Sequence, residues 1–438
     1  MRWFVGAILI LVISSLFGLS LLVYSMYALL AVMTASRLLT RYWSHHLSIH
    51  RTVNRLEVEE GHSIAVNVTV TNTGALPIPW LLVEDTLPRR ATMYRPPALE
   101  TSGDRITLAS LGPRKSKSFY YQLRCNRRGY FPIGPAMLET GDLFGLYRLF
   151  RVLAPPEYLQ VLPKVIPLDG FDIASRRPMG EIKMTHRLFE DPTRIAGVRA
   201  YQAGDPINRV NWAATARTGT LHSKVYEPSS IAGATIVLDF HQESFAKQHE
   251  PIRSEMAISL AVAIAGAVQE TGQQVGLVTN ARDAAERMKR ETLATTEVKS
   301  RAEARSAAIV EKGNDHLVPQ VVQTRRGGEQ MALIRKMLAR AELTDGLTLA
   351  QLITETVSRI PRDATVIAVL TESTVETALA LGNLRRSGFT VTAIINIFDE
   401  YEFAQAAGKL LAEGIRCRQL NNLDNISTIC QEQAYSWF

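Results

Sequence analysis

Hydrophobic positions divide the 438-residue chain into stretches of different period. From Trp3 to Ser36, an apolar run of 34 residues contains no Asp, Glu, Lys, Arg or His. About 20 such residues cross a bilayer core of about 30 Å, so the run predicts a membrane anchor over residues 1–44 and not an ordinary core helix. A cleaved signal peptide has an apolar region of only about 7–15 residues and is set aside. As one helix the run would be about 51 Å long at 1.5 Å per residue, well over the core thickness. A hairpin bent near Gly18–Ser20 has arms of about 24 Å, which is short. The aromatic pairs Trp3/Phe4 and Tyr42/Trp43 lie 39 residues apart. That spacing suits two arms returning to one interface, where Trp and Tyr prefer to sit. A single transmembrane helix or a hairpin is expected, with the hairpin preferred.

Beyond the run, Arg37, Arg41, Arg51 and Arg55, with His45, His46 and His50, precede the first acid, Glu57. Positive charge flanking a span stays on the cytoplasmic side, so the soluble part is expected in the cytoplasm at the inner (plasma) membrane.

Period two governs residues 45–165. Ile64, Val66, Val68 and Val70 alternate with polar neighbours, as a half-buried strand requires. Asn72-Thr73-Gly74 supplies a turn before the apolar run Leu81-Leu82-Val83. Phe119, Tyr121, Leu123 and Cys125 alternate again, and Tyr158–Leu162 closes the segment. Short strands separated by Pro and Gly turns predict an all-β, immunoglobulin-like sandwich. Asn67-Val68-Thr69 matches a glycosylation triplet but falls inside a strand, where it is taken as chance.

Residues 231–438 change period again. Ala234–Phe240, Val275–Val278, Val366–Leu370, Val391–Ile397 and Ile415–Leu420 read as buried strands. Met256–Val268, Val375–Leu384 and Phe403–Leu411 read as helices. Their alternation predicts an α/β domain with a doubly wound, mostly parallel sheet. A charged insertion, 281–325, interrupts it. Its mixed signs read as a solvated helical or mobile segment and not a nucleic-acid patch.

Composition narrows the classes. The chain has 49 Lys+Arg against 42 Asp+Glu, for a net charge of +7, and only 3 Cys. Cys125, Cys417 and Cys430 form neither a disulfide framework nor a CxxC zinc pair. The basic excess is partly the arginines after the anchor and is otherwise dispersed among acids, without stacking aromatics, so nucleic acid is not an expected partner.

Between the two soluble domains lies a linker, 166–230. It contains Gly197-Val198-Arg199-Ala200-Tyr201-Gln202-Ala203-Gly204-Asp205-Pro206-Ile207-Asn208-Arg209-Val210-Asn211-Trp212, then Ala216-Arg217 and Leu221-His222-Ser223-Lys224-Val225-Tyr226-Glu227. Asp205 can accept a bidentate pair from Arg209 or Arg199. Trp212 is expected to bury its rings. This block closely resembles the signature of the bacterial "domain of unknown function 58" family. Arg127-Arg128-Gly129-Tyr130, Asp142-Leu143-Phe144-Gly145-Leu146 and Arg326-Gly327-Gly328 resemble the family's other motifs. The resemblance implies a membrane hairpin, a β-sandwich and a von Willebrand factor A-like domain. It also implies a MoxR-type AAA+ ATPase as partner. The interaction residues it points to are Arg199, Tyr201, Gly204, Asp205, Arg209, Trp212, Arg217, Lys224 and Glu227. Two uses of the block stay open: an ion-pair network clamping the linker, or a docking face.

Von Willebrand A-like domains often hold Mg²⁺ through Asp-x-Ser-x-Ser at the end of the first strand, where oxygen donors suit a hard ion. Here the sequence is Asp239-Phe240-His241-Gln242-Glu243, with His241 and Glu243 in place of both serines. A degenerate site is expected, with Asp239, His241 and Glu243 the only candidate ligands, Mg²⁺ disfavoured and no cofactor. No phosphate loop, nucleophile elbow, HExxH or dinucleotide fingerprint is present, and no nucleophile–base pair accompanies the signature. The expectation is therefore a non-enzymatic, membrane-anchored adaptor for protein assembly. A metal-dependent adhesion protein, or a hydrolase acting through Asp239, His241, Glu243 or Glu227, is the alternative.

Overall fold

In the computed structural model of the chain, the described residues are 2–93, 96–168, 190–202, 210–228, 233–294, 317–362 and 364–429. They form two compact units. One comprises residues 1–164, 281–315 and 335–343, the other 165–280, 316–334 and 344–438.

The first unit begins with two apolar helices, α1 (Arg2–Leu16) and α2 (Ser20–His45), packed side by side. Gly18, at φ +68°, makes the turn between them in the left-handed region that favours glycine. Helix α2 is long and apolar enough to cross a bilayer, and most of its apolar surface is exposed. Its last turns behave differently. Met33, Ser36, Thr40, Trp43 and Ser44 are buried, a helical stripe that faces the sandwich strands β9 (Ala136–Gly141) and β10 (Arg148–Ala154). Trp43, only 6% exposed, joins the sandwich core, and the Tyr42 hydroxyl accepts the Ala75 N–H at 3.0 Å. This corrects the expectation of an interfacial Tyr42/Trp43 pair: one helix turn later the chain enters β1 (Leu47–Val53), so these rings are recruited by the β-domain.

The sandwich has one antiparallel sheet in the order β1, β3 (Ser63–Asn72), β7 (Ser116–Cys125), β5 (Leu99–Gly103). A second sheet runs β10, β9, β4 (Ile78–Asp85), β6 (Ile106–Leu111). A short helix, α3 (Arg89–Met93), follows β4. The alternation read in the sequence is the alternation of burial: Ile64, Val66, Val68 and Val70 of β3 and Phe119, Tyr121, Leu123 and Cys125 of β7 all point into one core.

Inside that core sits a charged group. The buried Arg51 of β1 pairs with Asp85 at 2.9 Å and with Glu157 at 3.2 Å, and also donates to the Pro155 carbonyl. Tyr121 donates to the other Asp85 oxygen at 2.7 Å. Arg105 caps the Asp85 main-chain carbonyl at 3.1 Å. Burial is the largest influence on Asp85 and raises its carboxyl above the ordinary value, although Arg51 and Tyr121 both act to lower it. Arg51 was counted among the positive charges flanking the anchor; as the fifth residue of β1, opposite Val68, it faces inward with Leu47. Gly134 is required beside it, because a Cβ there would collide with the guanidinium.

A third, smaller sheet, β2 (Glu57–Glu59), β11 (Glu157–Leu162), β8 (Gly129–Ile133), receives residues 335–343. These are the end of helix α7 (Gly328–Arg340) and the short strand β18 (Ala341–Glu342). Arg128 donates to the Leu338 and Ala341 carbonyls at 2.7 and 2.9 Å, a cation at a helix C-terminus where the dipole favours it. Arg340 lies over the Tyr130 ring, itself stacked on Tyr158. Arg335 and Lys336 pair with Glu59 and Glu57 at 2.7 and 2.8 Å. The Arg127–Tyr130 motif thus has a structural use. Strand β16 (Arg282–Asp283) pairs with β18, and Arg287 of α6 (Ala284–Ala294) chelates Glu342.

In the second unit, a ribbon of β12 (Glu190–Ala200) and β13 (His222–Pro228) flanks helix α4 (Trp212–Thr218). The main sheet has the order β17 (Gln320–Arg325), β15 (Gln274–Thr279), β14 (Gly233–Leu238), β19 (Ala364–Leu370), β20 (Thr390–Asn396), β21 (Arg416–Leu420). Its strands are parallel except the edge strand β17, so the sheet is mixed. The charged region expected as an insertion contributes that edge. Its Gln and Arg positions suit a strand with one solvated side, and they carry little of the apolar signal that marks the central strands. Helices α5 (Ile252–Glu270), α8 (Leu349–Thr356), α9 (Val375–Arg386) and α10 (Glu400–Ala412) complete the layers. Helix α5 is apolar enough to cross a membrane by composition, but 78% of its apolar window is buried within the protein, so it is a core helix.

Removing one partner of the Arg51–Asp85 pair strands a buried charge. Asp85→Ala is expected to cost about 3–5 kcal/mol, read as a lower urea midpoint by tryptophan fluorescence and circular dichroism in the detergent-solubilised full chain. Arg51→Met combined with Asp85→Leu should recover most of the loss. Equal loss in the single and double variants would show that the pair is not what holds the sheets.

Candidate functional site

The order of strands in the main sheet reverses between β14 and β19. Crevices beyond the carboxyl ends of strands at such a reversal are where open α/β sheets bind ligands. Asp239 follows β14 at that point, its N–H donating to the Val369 carbonyl at 3.1 Å. Its buried carboxylate is fully engaged. Oδ1 accepts the His241 N–H at 3.1 Å and the Asn280 side-chain amide at 3.0 Å, and Oδ2 accepts the Ser244 hydroxyl at 2.8 Å. Asn280, at the end of β15, also accepts the Phe240 N–H at 2.6 Å and donates to the Leu347 carbonyl at 2.8 Å. One amide thereby ties three loops together. Thr344 pairs with the same loop through main-chain bonds to Phe240 and Gln242. Across the reversal, Thr371 and Ser373 are buried, and their hydroxyl oxygens have no hydrogen-bond partner among the described residues.

Sequence reasoning singled out Asp239, His241 and Glu243. The structure does not gather these three as ligands: Glu243 is exposed, and among the described residues no group of three or more His, Cys, Asp or Glu could hold a metal. The hydroxyl that reaches Asp239 comes from Ser244, one residue beyond the position occupied by Glu243, and the amide from Asn280 was not anticipated. Ser244 could have been found by allowing the loop one more residue. Asn280 carries no local signal. The Mg²⁺ that the family resemblance associates with this position does not fit these donors. Three hydrogen-bond donors already point at the one carboxylate, and one of them is the Asn280 amide N–H, which cannot ligate a hard cation.

The signature residues lie on the β12–β13 ribbon and α4. Arg199 faces Ser223 across the ribbon, and Lys224 faces Val198. Tyr201 N–H donates to the Leu221 carbonyl at 2.8 Å and Asn211 N–H to the His222 carbonyl at 2.8 Å. His222 Nδ1 lies 2.8 Å from the Thr220 carbonyl and 3.1 Å from the Thr218 hydroxyl. Asn211 caps α4 through the Ala214 N–H at 3.2 Å, and Gly219, at φ +73°, ends it. Trp212 departs from expectation: it is 66% exposed. It occupies the first position of a short helix that buries no residue, so it has no apolar layer to enter. Arg217 is also exposed. Gly204, Asp205, Arg209 and the side chain of Glu227 lie outside the described residues, and with them the expected Asp205 ion pair.

Asn280→Ala leaves the Phe240 N–H and the Leu347 carbonyl unpaired and is expected to cost about 1–3 kcal/mol for each stranded group. Glu243→Ala should be neutral. Denaturation of the full chain followed by circular dichroism checks both, and Mg²⁺ or Mn²⁺ should leave the wild-type midpoint unchanged.

A family model described as "Protein of unknown function DUF58" matches residues 197–404, which takes in the end of β12, α4, β13 and the Asp239 loop. The uncharacterized protein YeaD of Bacillus subtilis (strain 168) is 23% identical over 254 residues, covering 57% of this chain and 60% of YeaD. The chain thus spans only about three fifths of that relative's length. Among solved structures, a CARDB domain from Pyrococcus furiosus aligns at 13% identity over 27% of this chain and 94% of its own, with a TM-score of 0.20. Proximal thread matrix protein 1 from the mussel byssus aligns at 12% identity over 46% of each chain, with a TM-score of 0.29. Likenesses at these scores carry no argument. The signature block read from the sequence falls within the matched segment, and the match over residues 197–404 together with YeaD supports the chain's resemblance to the DUF58 family.

Proposed function

We propose that the chain is a non-enzymatic adaptor, anchored in the plasma membrane of a bacterium, that uses the signature ribbon to dock a partner protein. The observation that carries this reading is the exposed indole of Trp212. It opens α4 in the family-matched segment, which also holds Leu221 and Val198, both exposed, on the ribbon that flanks this helix. Large exposed aromatics flanked by apolar residues and charges are typical anchors of protein interfaces, where Trp and Arg supply much of the binding energy. Arg217 beside it completes such a composition. The Asp239 carboxylate, saturated by the His241 N–H, the Asn280 amide and the Ser244 hydroxyl, favours a structural use of this loop over a catalytic one.

The family resemblance points to a MoxR-type AAA+ ATPase as the partner. The sheet order, with its single antiparallel edge and its reversal at Asp239, supports a von Willebrand A-type reading of the α/β unit. A cytoplasmic placement rests on Arg37 and Arg41, exposed at the end of the apolar run.

Trp212→Ala should leave the fold intact, because the side chain buries little, and should abolish co-purification of the ATPase from detergent-solubilised membranes. Asp205→Ala with Arg209→Ala should do the same. Unchanged association of both variants would remove this face from the proposal. Placement has its own measurement: a C-terminal tag should be cleaved by protease in inverted vesicles only, and cleavage only in right-side-out vesicles would overturn the cytoplasmic ATPase model.

A further inference from the structure

The motif Asp142-Leu143-Phe144-Gly145-Leu146 joins β9 to β10 and has no role in the core. Leu143 is 74% and Phe144 69% exposed, and Leu146 is also exposed. Three apolar side chains in five residues are usually covered by something.

The loop is built to present them. The Asp142 carboxylate accepts the Tyr147 N–H at 2.7 Å and the Phe144 N–H at 3.2 Å, while the Asp142 N–H donates to the Tyr147 carbonyl at 3.1 Å. Trp80 donates its indole N–H to the Asp142 carbonyl at 3.2 Å. Gly145, at φ +72°, turns the tip in the left-handed region. Burial alone would raise the Asp142 carboxyl, but donation from the Tyr147, Leu146 and Phe144 N–H groups and the Ser36 hydroxyl holds it below the ordinary aspartate value.

Ser36 lies in the buried stripe of α2 that packs on β9 and β10, and Arg151 of β10 donates to the Ser44 carbonyl further along the helix, so the β9–β10 loop sits at the level of Ser36. Ser36 is the last residue of the uncharged run and Arg37 the first charge after it. From Ser20 to Ser36 the helix rises about 24 Å, and from Leu16 back to Arg2 the companion helix falls about 21 Å. Both helices therefore acquire an arginine at the level of the loop. Leu38 and Leu39 of α2 are exposed there too, as are Arg37, Arg41 and Arg148. The apolar tip thus continues the lipid-facing surface of α2 sideways at its aqueous end, rimmed by cations that suit anionic headgroups.

We infer that the loop Asp142–Tyr147 is a second membrane contact, its Leu143, Phe144 and Leu146 side chains inserted at the headgroup–acyl boundary beside α2. Phe and Leu are the residues that interfacial elements bury about 5–10 Å into that boundary. The inference rests on α2 being a membrane anchor. Continuity with α2 argues for lipid over a protein partner as the occupant.

The test uses the full chain with Cys430→Ser. Cys125 and Cys417 are buried, their thiols pushed up to about 11 and about 12 by burial, and should not label at neutral pH. Phe144→Cys, and independently Leu143→Cys, would carry an environment-sensitive fluorophore in phosphatidylcholine–phosphatidylglycerol vesicles containing shallow nitroxide-labelled lipid. Tyr27→Cys on α2 is the reference. Quenching of the loop labels together with the Tyr27 label is the expected result. A quenched Tyr27 label with both loop labels still in water overturns the inference, leaves the anchor standing and makes the tip a protein-docking element. If no label is quenched, the anchor reading fails and the inference with it.

Discussion

The Arg51–Asp85–Tyr121 group is the constraint around which the first unit is arranged. It joins β1 and β7 of one sheet to β4 of the other, and through Glu157 and Pro155 it reaches the third sheet. Hydrophobic side chains could fill the same volume, but they would not specify which strand ends must meet. A buried charge tolerates few arrangements, because any register that separates the partners leaves an ion in an apolar core. Tyr121 needs β7 in one register, Asp85 needs the end of β4, and Gly134 must lack a side chain for the guanidinium to pass.

How much of this could be read from the sequence depended on whether the signal was local. The period-two strands β3 and β7 were legible because each has one face in water and one in the core, and the residues record that difference. The apolar helix pair and its bend at Gly18 were legible for a similar reason, since composition and a single flexible residue mark them. Arg51 was misread because its partners lie 34 and 106 residues away, and nothing in its neighbours distinguishes a buried arginine from a solvated one. Edge strand β17 was absorbed into a charged stretch because an edge needs only half a hydrophobic pattern.

At the candidate site the difference is the same. Asp239 stood out as the residue closing an apolar strand at the reversal of strand order. Ser244, five residues along the same loop, was missed by one position, and Asn280 was missed because it reaches the carboxylate from a loop 41 residues away that meets it only in the folded sheet. Trp212 inverted the usual expectation that an indole is buried. Its helix is one that the ribbon holds clear of any core, and a two-turn helix capped by Asn211 and Gly219 can stand there without packing beneath it.

Helix α2 reaches the sandwich without a linker, and Trp43 is the splice. A tether of glycines and serines would let the β-domain wander over the bilayer surface in any orientation. A helix whose final turns are core instead behaves as a mast stepped into a hull. Its tilt becomes the attitude of the sandwich. With α2 in a bilayer, as proposed above, membranes of different thickness would tilt it by different amounts, and the β-domain would turn with it.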